Sequence, residues 1–440
     1  LQEIITRIGY GKFQKKMFFL CGLGWFADNM WLQCVASILP RVQQHFGIPD
    51  NQIGLMSSAT FAGMMIGALF WGLFSDVRGR RIAFTCTMLL SAIFGVASAF
   101  SPNYPVLCVL LLFLGFGVGG NMPVDGALFL EFIPVHKQYL LTFLSVFFSS
   151  GAVFTSALSW ALLPKYSCPM TPVPGAGEPQ CDPSKNQGWR YLLGTLGLFS
   201  LLMFASRWFL FRLPESPKFL LLKGRREEAA SVLTSIIRSG SDGEGVNMPP
   251  GTARMTSGDY GGAGNAEGGA RWSRPSPSPH HRKSPASSSL GRWLRRQTHK
   301  SSRVLGPLFS RRMRRTTVLV WAIWVLINLA YTMFNVFLPK FLESRGVADG
   351  GAGGEEGDPR SIVYRDYFIY TLCSVPGAIV GTWLVETRLG RKGSMALTTW
   401  GSAGAMFIFV GVKSGIGITI SSGVLNFLGT AMYAIVYSYT

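Results

Sequence analysis

Asp28 stands inside an apolar stretch of the sequence, in GWFADNMWLQ, with Asn29 and Gln33 one helical turn apart beside it. An ionisable residue within an apolar helix is a functional candidate by default. Removal from water disfavours the charged carboxylate, which suits a group that takes up and releases a proton. The same side chain could instead bind a cationic solute, or make a hydrogen bond that only packs two helices.

Other polar residues recur at helical spacing within apolar stretches, as expected of stripes that face the interior of a helix bundle. Asn121 and Asp125 are one turn apart, and Arg207 lies at similar depth on another stretch, which makes it a candidate partner for Asp125. The second part of the sequence has two further stripes, Asn328, Tyr331 and Asn335, then Asn426, Tyr433 and Tyr437. Contact with a solute and contact with neighbouring helices both remain open for these residues.

The seven cysteines and five histidines form no pattern typical of a metal site or of nucleophilic catalysis. Five cysteines lie in apolar stretches and should behave as small apolar residues, namely Cys21, Cys34, Cys86, Cys108 and Cys373. Cys168 and Cys181 lie in a predicted external loop, residues 164–188, where an oxidising exterior would permit a disulfide. We predict no enzyme activity, no cofactor and no metal.

The elements that position these residues are predicted from composition. The chain of 440 residues is 48% hydrophobic and only 14% charged, whereas a soluble domain carries about 25% charged residues. Several apolar runs exceed the roughly 18 residues that suggest a membrane-spanning helix. The composition disfavours a soluble enzyme, a disordered polymer and a secreted disulfide scaffold. It predicts an all-α polytopic membrane protein.

Ten apolar segments are long enough to span a membrane, and each must be helical because lipid offers no partners for open backbone groups. They are predicted at residues 16–39, 53–75, 81–101, 105–131, 138–163, 190–212, 316–341, 364–386, 394–413 and 415–439. We therefore expect an amino-terminal six-helix bundle at 1–212, a polar segment at 213–315 and four helices of a carboxyl-terminal bundle at 316–440.

Most of the net charge of +19 lies in the polar segment, where Arg212 to Arg315 contains 20 basic and 7 acidic residues. A basic surplus can indicate nucleic-acid binding, but here it separates two hydrophobic blocks, so we predict a cytoplasmic loop and no nucleic acid. KGRREEAASVLTSIIRS predicts a short surface helix, and the Gly-, Ser- and Pro-rich remainder predicts a disordered linker. The distribution of basic and acidic loops predicts a cytoplasmic amino terminus.

The segment GLFSDVRGRR, from Gly72 to Arg81, resembles the cytoplasmic signature of the major facilitator superfamily of transporters. GFGVGGNMPVDGALFLEFIP and LPESPKFLL resemble the fourth helix and the end of the sixth helix of sugar porters and synaptic-vesicle-protein-like organic-ion transporters. RLGRKGS, residues 388–394, repeats the signature in the second part of the chain, as a two-fold repeat predicts. The resemblance implies two six-helix bundles, with about ten helices present in this chain.

The resemblance also implies roles for named residues. Asp28 matches an acid that related transporters use for proton or cation coupling. Charged residues at the cytoplasmic edge would form a gate that holds the two bundles together when the inside is shut, and the signature's first glycine would let helices approach closely. The implied gate comprises Gly72, Asp76, Arg78, Gly79, Arg80, Arg81, Glu131, Glu215, Glu386, Gly390, Arg391 and Lys392.

Three features depart from the family pattern. The chain stops at Thr440, at the end of the tenth predicted helix, and has no initiator Met, so we expect a fragment of a twelve-helix protein. Leu111 stands where sugar porters have an arginine, and INLAYTMFNVFLP replaces their Gln-Gln-x-Ser-Gly stretch. The missing stretch makes a sugar a less favoured substrate, and the missing arginine leaves Asp28 without that partner.

The expected function is secondary active transport of a small organic solute, coupled to protons, with an organic ion or carboxylate as the first choice. A facilitative sugar uniporter and a non-transporting nutrient sensor with a transporter body are the alternatives. A channel is disfavoured because no ring of like charges is evident. We expect a monomer in the lipid bilayer, in the plasma membrane rather than an internal one.

Overall fold

Helices make up nearly all the regular structure of the computed structural model, which describes residues 5–6, 9–168, 184–210, 213–240, 309–311, 313–349, 359–412 and 414–439. The amino-terminal bundle consists of α1 (Lys12–Phe46), α2 (Asp50–Arg78), α3 (Arg80–Ala99), α4 (Tyr104–Phe132), α5 (Leu140–Phe143 continued by Ser145–Leu162) and α6 (Gly188–Ala205). Two short helices follow it, α7 (Pro217–Leu222) and α8 (Arg226–Gly240). The carboxyl-terminal bundle consists of α9 (Arg314–Asp349), α10 (Pro359–Leu372 continued by Ser374–Glu386), α11 (Gly390–Gly411) and α12 (Gly415–Tyr439).

All ten predicted spans therefore correspond to helices, and α8 lies where the sequence predicts a short surface helix. Nine of the helices in the described residues are long and apolar enough to cross a membrane. The exception is α1, which has ample length at 35 residues. Asp28, Asn29 and Gln33 lower its hydropathy, so the helix that carries the leading candidate residue is also the most polar span.

Successive long helices run in opposite directions, so their connections alternate between two ends of the protein. We call one the Arg41 end, which contains the last turn of α1 and the first turn of α2. The other is the Arg80 end, which contains the junction of α2 and α3 together with α7 and α8. Most of the connection between α9 and α10, residues 350–358, lies outside the described residues.

Contacts between residues divide the chain into two compact units. One comprises residues 1–256 and 331–440, and the other comprises 257–330, whose described part includes the first turns of α9. Most of the predicted linker lies outside the described residues. The predicted boundaries at 212 and 315 remain predictions.

The amino-terminal bundle is packed around α1, which contacts α4, α5 and α6 and buries most of its residues. Trp25, Trp31 and Leu39 on this helix are almost completely buried. A helix that is covered on nearly every side can hold a polar group away from both lipid and water. α1 is therefore the element that positions Asp28.

Glycines bring α2 and α4 into backbone contact. A Cβ added at Gly63 would lie 2.0 Å from the carbonyl oxygen of Leu112, and one added at Gly67 would lie 2.2 Å from that of Phe116. From the other side, a Cβ at Gly119 would lie 2.1 Å from the carbonyl oxygen of Met64. Only glycine fits these positions, as in close helix pairs of membrane proteins.

Candidate functional site

Asp28 is 1% exposed and accepts a hydrogen bond from Asn121 on α4, with 2.7 Å between Asn121 Nδ2 and Asp28 Oδ1. Its second oxygen, Oδ2, has no hydrogen-bond partner among the described residues. A buried acceptor without a partner costs free energy that a bound proton or cation would recover. The sequence singled out both residues but did not predict that they contact each other.

Aromatic side chains from both bundles adjoin Asp28. Tyr433 and Tyr437 on α12 lie near its carboxylate. The ring of Tyr437 packs on Trp25 with centroids 4.8 Å apart, and the ring of Tyr433 stacks on Phe148 with centroids 5.9 Å apart. Asp28 thus lies at the boundary between the bundles, near aromatic rings of both.

Asp125 pairs with Arg207, as the sequence suggested, with 2.7 Å between Asp125 Oδ2 and Arg207 Nη2 and no exposed surface on either side chain. Arg207 belongs to a π-helical turn, Ser206–Leu210, that follows α6. Its guanidinium also donates to the carbonyl oxygens of Phe84 at 2.8 Å and Leu20 at 3.1 Å. The Asp125–Arg207 pair therefore joins α1, α3, α4 and α6 within one bundle.

A polar network connects the two bundles near their centre. Gln33 Nε2 donates to Asn335 Oδ1 at 3.4 Å, and the Tyr367 hydroxyl donates to Gln33 Oε1. The Tyr370 hydroxyl donates to Asn335 Oδ1 at 2.8 Å. Asn426 Nδ2 donates to the carbonyl oxygen of Tyr370 at 2.7 Å. Gln33 thus contacts Asn335 and Tyr367 directly, and Tyr370 and Asn426 extend the network from Asn335.

Three further polar residues that the sequence singled out are Asn29, Asn328 and Tyr331. Tyr331 donates to Asn426 Oδ1 at 3.3 Å, which adds it to the network around Gln33. Asn29 Nδ2 donates to the carbonyl oxygen of Phe148 at 2.8 Å and so ties α1 to α5. Asn328 Nδ2 donates to the carbonyl oxygen of Trp324, one turn earlier on its own helix, at 2.8 Å. The amide nitrogens of Asn29 and Asn328 thus both donate to backbone carbonyl oxygens.

At the Arg41 end, ion pairs cross from one bundle to the other. Arg41, which is completely buried, lies 3.0 Å from Glu343 Oε1 through Nη2 and donates from Nε to the Tyr364 hydroxyl at 3.1 Å. Lys340 Nζ lies 2.6 Å from Asp50 Oδ1. α1 and α2 are therefore tied to α9 and α10 at this end.

At the Arg80 end, Glu215 caps the start of α3. Its Oε1 accepts from the backbone N–H of Arg80 at 2.8 Å and of Arg81 at 3.4 Å. Gly79 has φ +109°, and a Cβ there would lie 2.4 Å from Glu215 Oε2, so this junction requires glycine. The signature loop and the LPESPKFLL segment are joined through this carboxylate.

Three of the other predicted gate charges of the amino-terminal bundle, Asp76, Arg80 and Glu131, pair with one another. Arg80 Nη2 lies 2.8 Å from Asp76 Oδ1 and 3.5 Å from Glu131 Oε1. Glu386, Arg391 and Lys392 are exposed, and the described residues place no ion pair on them. The structure thus joins Asp76, Arg80 and Glu131, and within the described residues no ion pair connects them to the gate residues of the carboxyl-terminal bundle.

The prediction for Gly72 is wrong in one respect. We expected this glycine to let a neighbouring helix approach closely, but a Cβ there would meet nothing within 4 Å. Close approach in α2 occurs instead at Gly63 and Gly67, because those positions face α4. Gly390 has φ +62°, a conformation that glycine adopts most readily, at the turn between α10 and α11.

Cys168 is disulfide-bonded, which agrees with its predicted role, while Cys181 lies outside the described residues, so the pairing itself stays a prediction. Cys21, Cys34, Cys86, Cys108 and Cys373 are free thiols. In the part of the chain that the structure describes, no group of three or more His, Cys, Asp or Glu residues could hold a metal ion.

Sequence reasoning missed the residues that close the Arg41 end and half of the central network. Arg41 and Glu343 lie near the ends of long helices, where a charge is ordinarily solvated. Tyr364, Tyr367 and Tyr370 follow one another at helical spacing on α10. That spacing was a usable signal, because tyrosines three residues apart share a helix face.

The profile of the Major Facilitator Superfamily matches residues 17–440. The MFS siderochrome iron transporter 1 of Ceriporiopsis subvermispora is 34% identical over 93% of this chain and 71% of its own length. The organic cation/carnitine transporter 7 of Arabidopsis thaliana is 30% identical over 90% of this chain and 72% of its own length.

A solved structure of similar fold is the partially occluded inward open conformation of the xylose transporter XylE from E. coli. The two chains superpose with a TM-score of 0.64 at 16% identity, over 96% of this chain and 86% of that one. At this identity the similarity establishes the two-bundle architecture and nothing about the solute.

Proposed function

We propose a function from the premise that this chain belongs to the major facilitator superfamily, whose profile spans nearly all of it. It is a multi-pass membrane protein of a family that transports small solutes. The proposal is that it is a secondary active transporter coupled to protons, with Asp28 as the coupling residue. Three features support this proposal: the Asp28–Asn121 contact, the aromatic residues at the boundary between the bundles, and the ion pairs at the Arg41 and Arg80 ends.

The observation that carries the proposal is the unpartnered oxygen of Asp28. Asn121 fixes Oδ1, while Oδ2 is buried and has no hydrogen-bond partner within the described residues. A carboxyl group in this position can hold a proton when the site is closed and release it when water reaches the site. Because Tyr433 and Tyr437 lie on the other bundle, relative movement of the bundles would change the surroundings of Asp28.

Alternating access requires that the two ends open in turn while the central site stays in place. Arg41–Glu343 and Lys340–Asp50 tie the bundles at the Arg41 end. At the Arg80 end the described ion pairs stay within the amino-terminal bundle or within the first turn of α8. This arrangement supports a conformation held shut at the Arg41 end, from which closure at the Arg80 end would be the next step of the cycle.

The proposed substrate is a small organic ion. The rings of Trp25, Phe148, Tyr433 and Tyr437 beside a buried carboxylate favour an organic solute that carries positive charge. One relative is named for siderochrome iron and the other for organic cations and carnitine, and both names are compatible with an ionic solute. In the second candidate mechanism Asp28 binds the cationic solute directly and carries no proton.

The proposed topology places the amino terminus and the Arg80 end in the cytoplasm, on the basis of the arginines at the junction of α2 and α3. The protein is proposed to act as a monomer in the plasma membrane. A facilitative uniporter and a nutrient sensor with a transporter body are the competing functions, and each differs from the proposal in a measurable property.

The test is uptake of a panel of organic cations, carboxylates and sugars into proteoliposomes that contain the full-length protein, at two external pH values. Proton-coupled transport predicts accumulation against a gradient that depends on the pH difference. Flux that only equilibrates the solute at both pH values would indicate a uniporter. Saturable binding without flux would indicate a sensor, and either result would overturn the proposal.

A further inference from the structure

A cavity of about 800 Å³ lies at the Arg80 end, away from Asp28. Its walls are α3, the end of α6, and the α7 and α8 helices that follow the amino-terminal bundle. The volume is within the roughly 300–1,000 Å³ of ligand cavities. None of the groups proposed for solute or proton binding lines it.

The rim of this cavity is positively charged. Arg78 and Arg81 both line it, both are exposed, and neither guanidinium has an ion-pair partner in the described part of the chain. The acids nearby are engaged: Glu215 caps the backbone of α3, and Glu228 pairs with Arg225 at 2.5 Å. Two guanidinium groups are therefore available to an anion, and phosphate is a group that arginine binds well.

The depth of the cavity is apolar. Ile82, Thr85, Cys86 and Leu89 continue one face of α3 from Arg81 inwards. Eight residues from Arg81 to Leu89 correspond to a rise of about 12 Å. One leaflet of a hydrocarbon core is about 15 Å thick, so this face extends through most of a leaflet.

The opposite wall is apolar and faces outwards. Phe204 and Trp208 line it from the end of α6, and Trp208 is 59% exposed. Tryptophan prefers the boundary between headgroups and acyl chains. The charged rim of the cavity therefore corresponds to the headgroup of a lipid, and its apolar depth corresponds to the acyl chains.

We propose that this cavity binds one anionic phospholipid of the surrounding leaflet. The phosphate contacts Arg78 and Arg81, and an acyl chain lies along α3 between Ile82, Leu89 and Trp208. A soluble anion would use the arginines but leave the apolar wall uncovered. The lipid would join α3 to α7 and α8, next to the Glu215 cap that connects α3 to the segment before α7.

Cys86 supplies the test, because it is a free thiol that lines the cavity, whereas the free thiol Cys108 on α4 does not. The full-length protein in detergent is mixed with phosphatidylglycerol or with phosphatidylcholine of the same acyl chains. N-ethylmaleimide labelling of each cysteine is then followed by peptide mass spectrometry. At phosphatidylglycerol near ten times its Kd, labelling of Cys86 should slow about tenfold, since only empty sites react. Labelling of Cys108 should not change.

The variant for the rim is Arg78→Gln with Arg81→Gln, and its matched control is Arg391→Gln with Lys392→Gln, which removes two charges from the corresponding turn of the other bundle. Protection of Cys86 should be lost in the first variant and kept in the second. All four side chains are exposed, so folding should persist, and native mass spectrometry counts bound lipid independently.

Three results would overturn the proposal. Equal protection by phosphatidylcholine would remove the role of the anionic headgroup. Protection that survives Arg78→Gln with Arg81→Gln would remove the arginines. Equal protection by glycerol phosphate, which has no acyl chains, would show a site for a soluble phosphate rather than for a lipid.

Discussion

Asp125 and Arg207 form an ion pair of 2.7 Å in which neither side chain has exposed surface. Gly24 makes room for it: a Cβ at that position would lie 1.8 Å from Asp125 Oδ2 and 2.3 Å from Arg207 Nη2. The guanidinium also lies over the ring of Phe84, 3.8 Å from its centroid. The pair is thus enclosed by α1, α3, α4 and the turn after α6. Because it is enclosed, removing one of its charges should change the stability of the protein measurably.

Asp125→Asn should destabilise the amino-terminal bundle strongly, since breaking a buried pair by removing one partner costs about 3–5 kcal/mol. Asp125→Leu combined with Arg207→Met should be less destabilised than the sum of its single variants, because no charge is left buried alone. Thermal unfolding of the detergent-solubilised protein compares the variants. Additive effects in the double variant would contradict the pairing.

Gly24→Ala should destabilise the protein, because the new methyl group would displace both members of the Asp125–Arg207 pair. Gly72→Ala is the matched control, since nothing lies within 4 Å of a Cβ there. In a helix, alanine should be neutral or more stable than glycine by about 0.5–1 kcal/mol. Thermal unfolding of the two variants should change in opposite directions, and a similar loss in both would contradict the packing seen at Gly24.

Asp28→Asn separates proton coupling from solute binding, because the amide keeps the shape of the carboxylate but cannot exchange charge. If Asp28 carries the proton, accumulation against a gradient should vanish while solute counterflow persists. If it binds a cationic solute, both activities should weaken together. If it only packs against Asn121, both should stay within about twofold of wild type, a change of roughly 0.4 kcal/mol. Retained accumulation would exclude the coupling role.

Glu343→Gln should favour opening of the Arg41 end, since it removes the carboxylate that holds Arg41 across the bundle boundary. Cys34 lies two turns from Arg41 on α1 and is completely buried. Its labelling by a membrane-impermeant maleimide should increase about tenfold if the lost pair contributed about 1.4 kcal/mol. Glu228→Gln, which removes an exposed pair of neighbouring residues at the other end, is the control and should leave Cys34 labelling unchanged. Unchanged labelling in Glu343→Gln would show that this pair does not hold the end shut.

Glu215→Ala should loosen the start of α3, because a charged acceptor of backbone hydrogen bonds is worth about 1.5–3 kcal/mol. Hydrogen exchange at the amides of Arg80 and Arg81 should accelerate at least about tenfold. Asp76→Ala is the comparison, since its pair with Arg80 is largely exposed at Asp76 and worth about 0–1 kcal/mol. Equal exchange in the two variants would contradict the capping role of Glu215.

The sequence predicted the helices and the chemistry of single residues better than the contacts between them. Apolar length located all ten spans, and depth in the membrane suggested the partner of Asp125. Spacing along one helix could not show that Asn121 donates to Asp28, because that contact depends on how α1 and α4 rotate against each other. It also could not show that Arg41 meets Glu343 on another bundle, since side chains 302 positions apart are brought together only by the fold.

The gate illustrates a second limit of the sequence. Its charges were grouped by their common depth at one edge of the membrane, and this grouping predicted the cluster of Asp76, Arg80 and Glu131. Depth does not determine the distance between bundles, because that distance changes with conformation. Glu386 and Arg391 therefore share the depth of the cluster without sharing its ion pairs.

α2 and α4 meet through the backbone at Gly63, Gly67 and Gly119, with no side chain between them. At most helix interfaces, side chains adjust to a small displacement by changing rotamers. Where two backbones are in direct contact, there are no side-chain rotamers to change. The two helices should therefore move together as one rigid body. A change in the tilt of α2 at Asp50, where it meets Lys340, would then also displace the other end of the helix at Arg78.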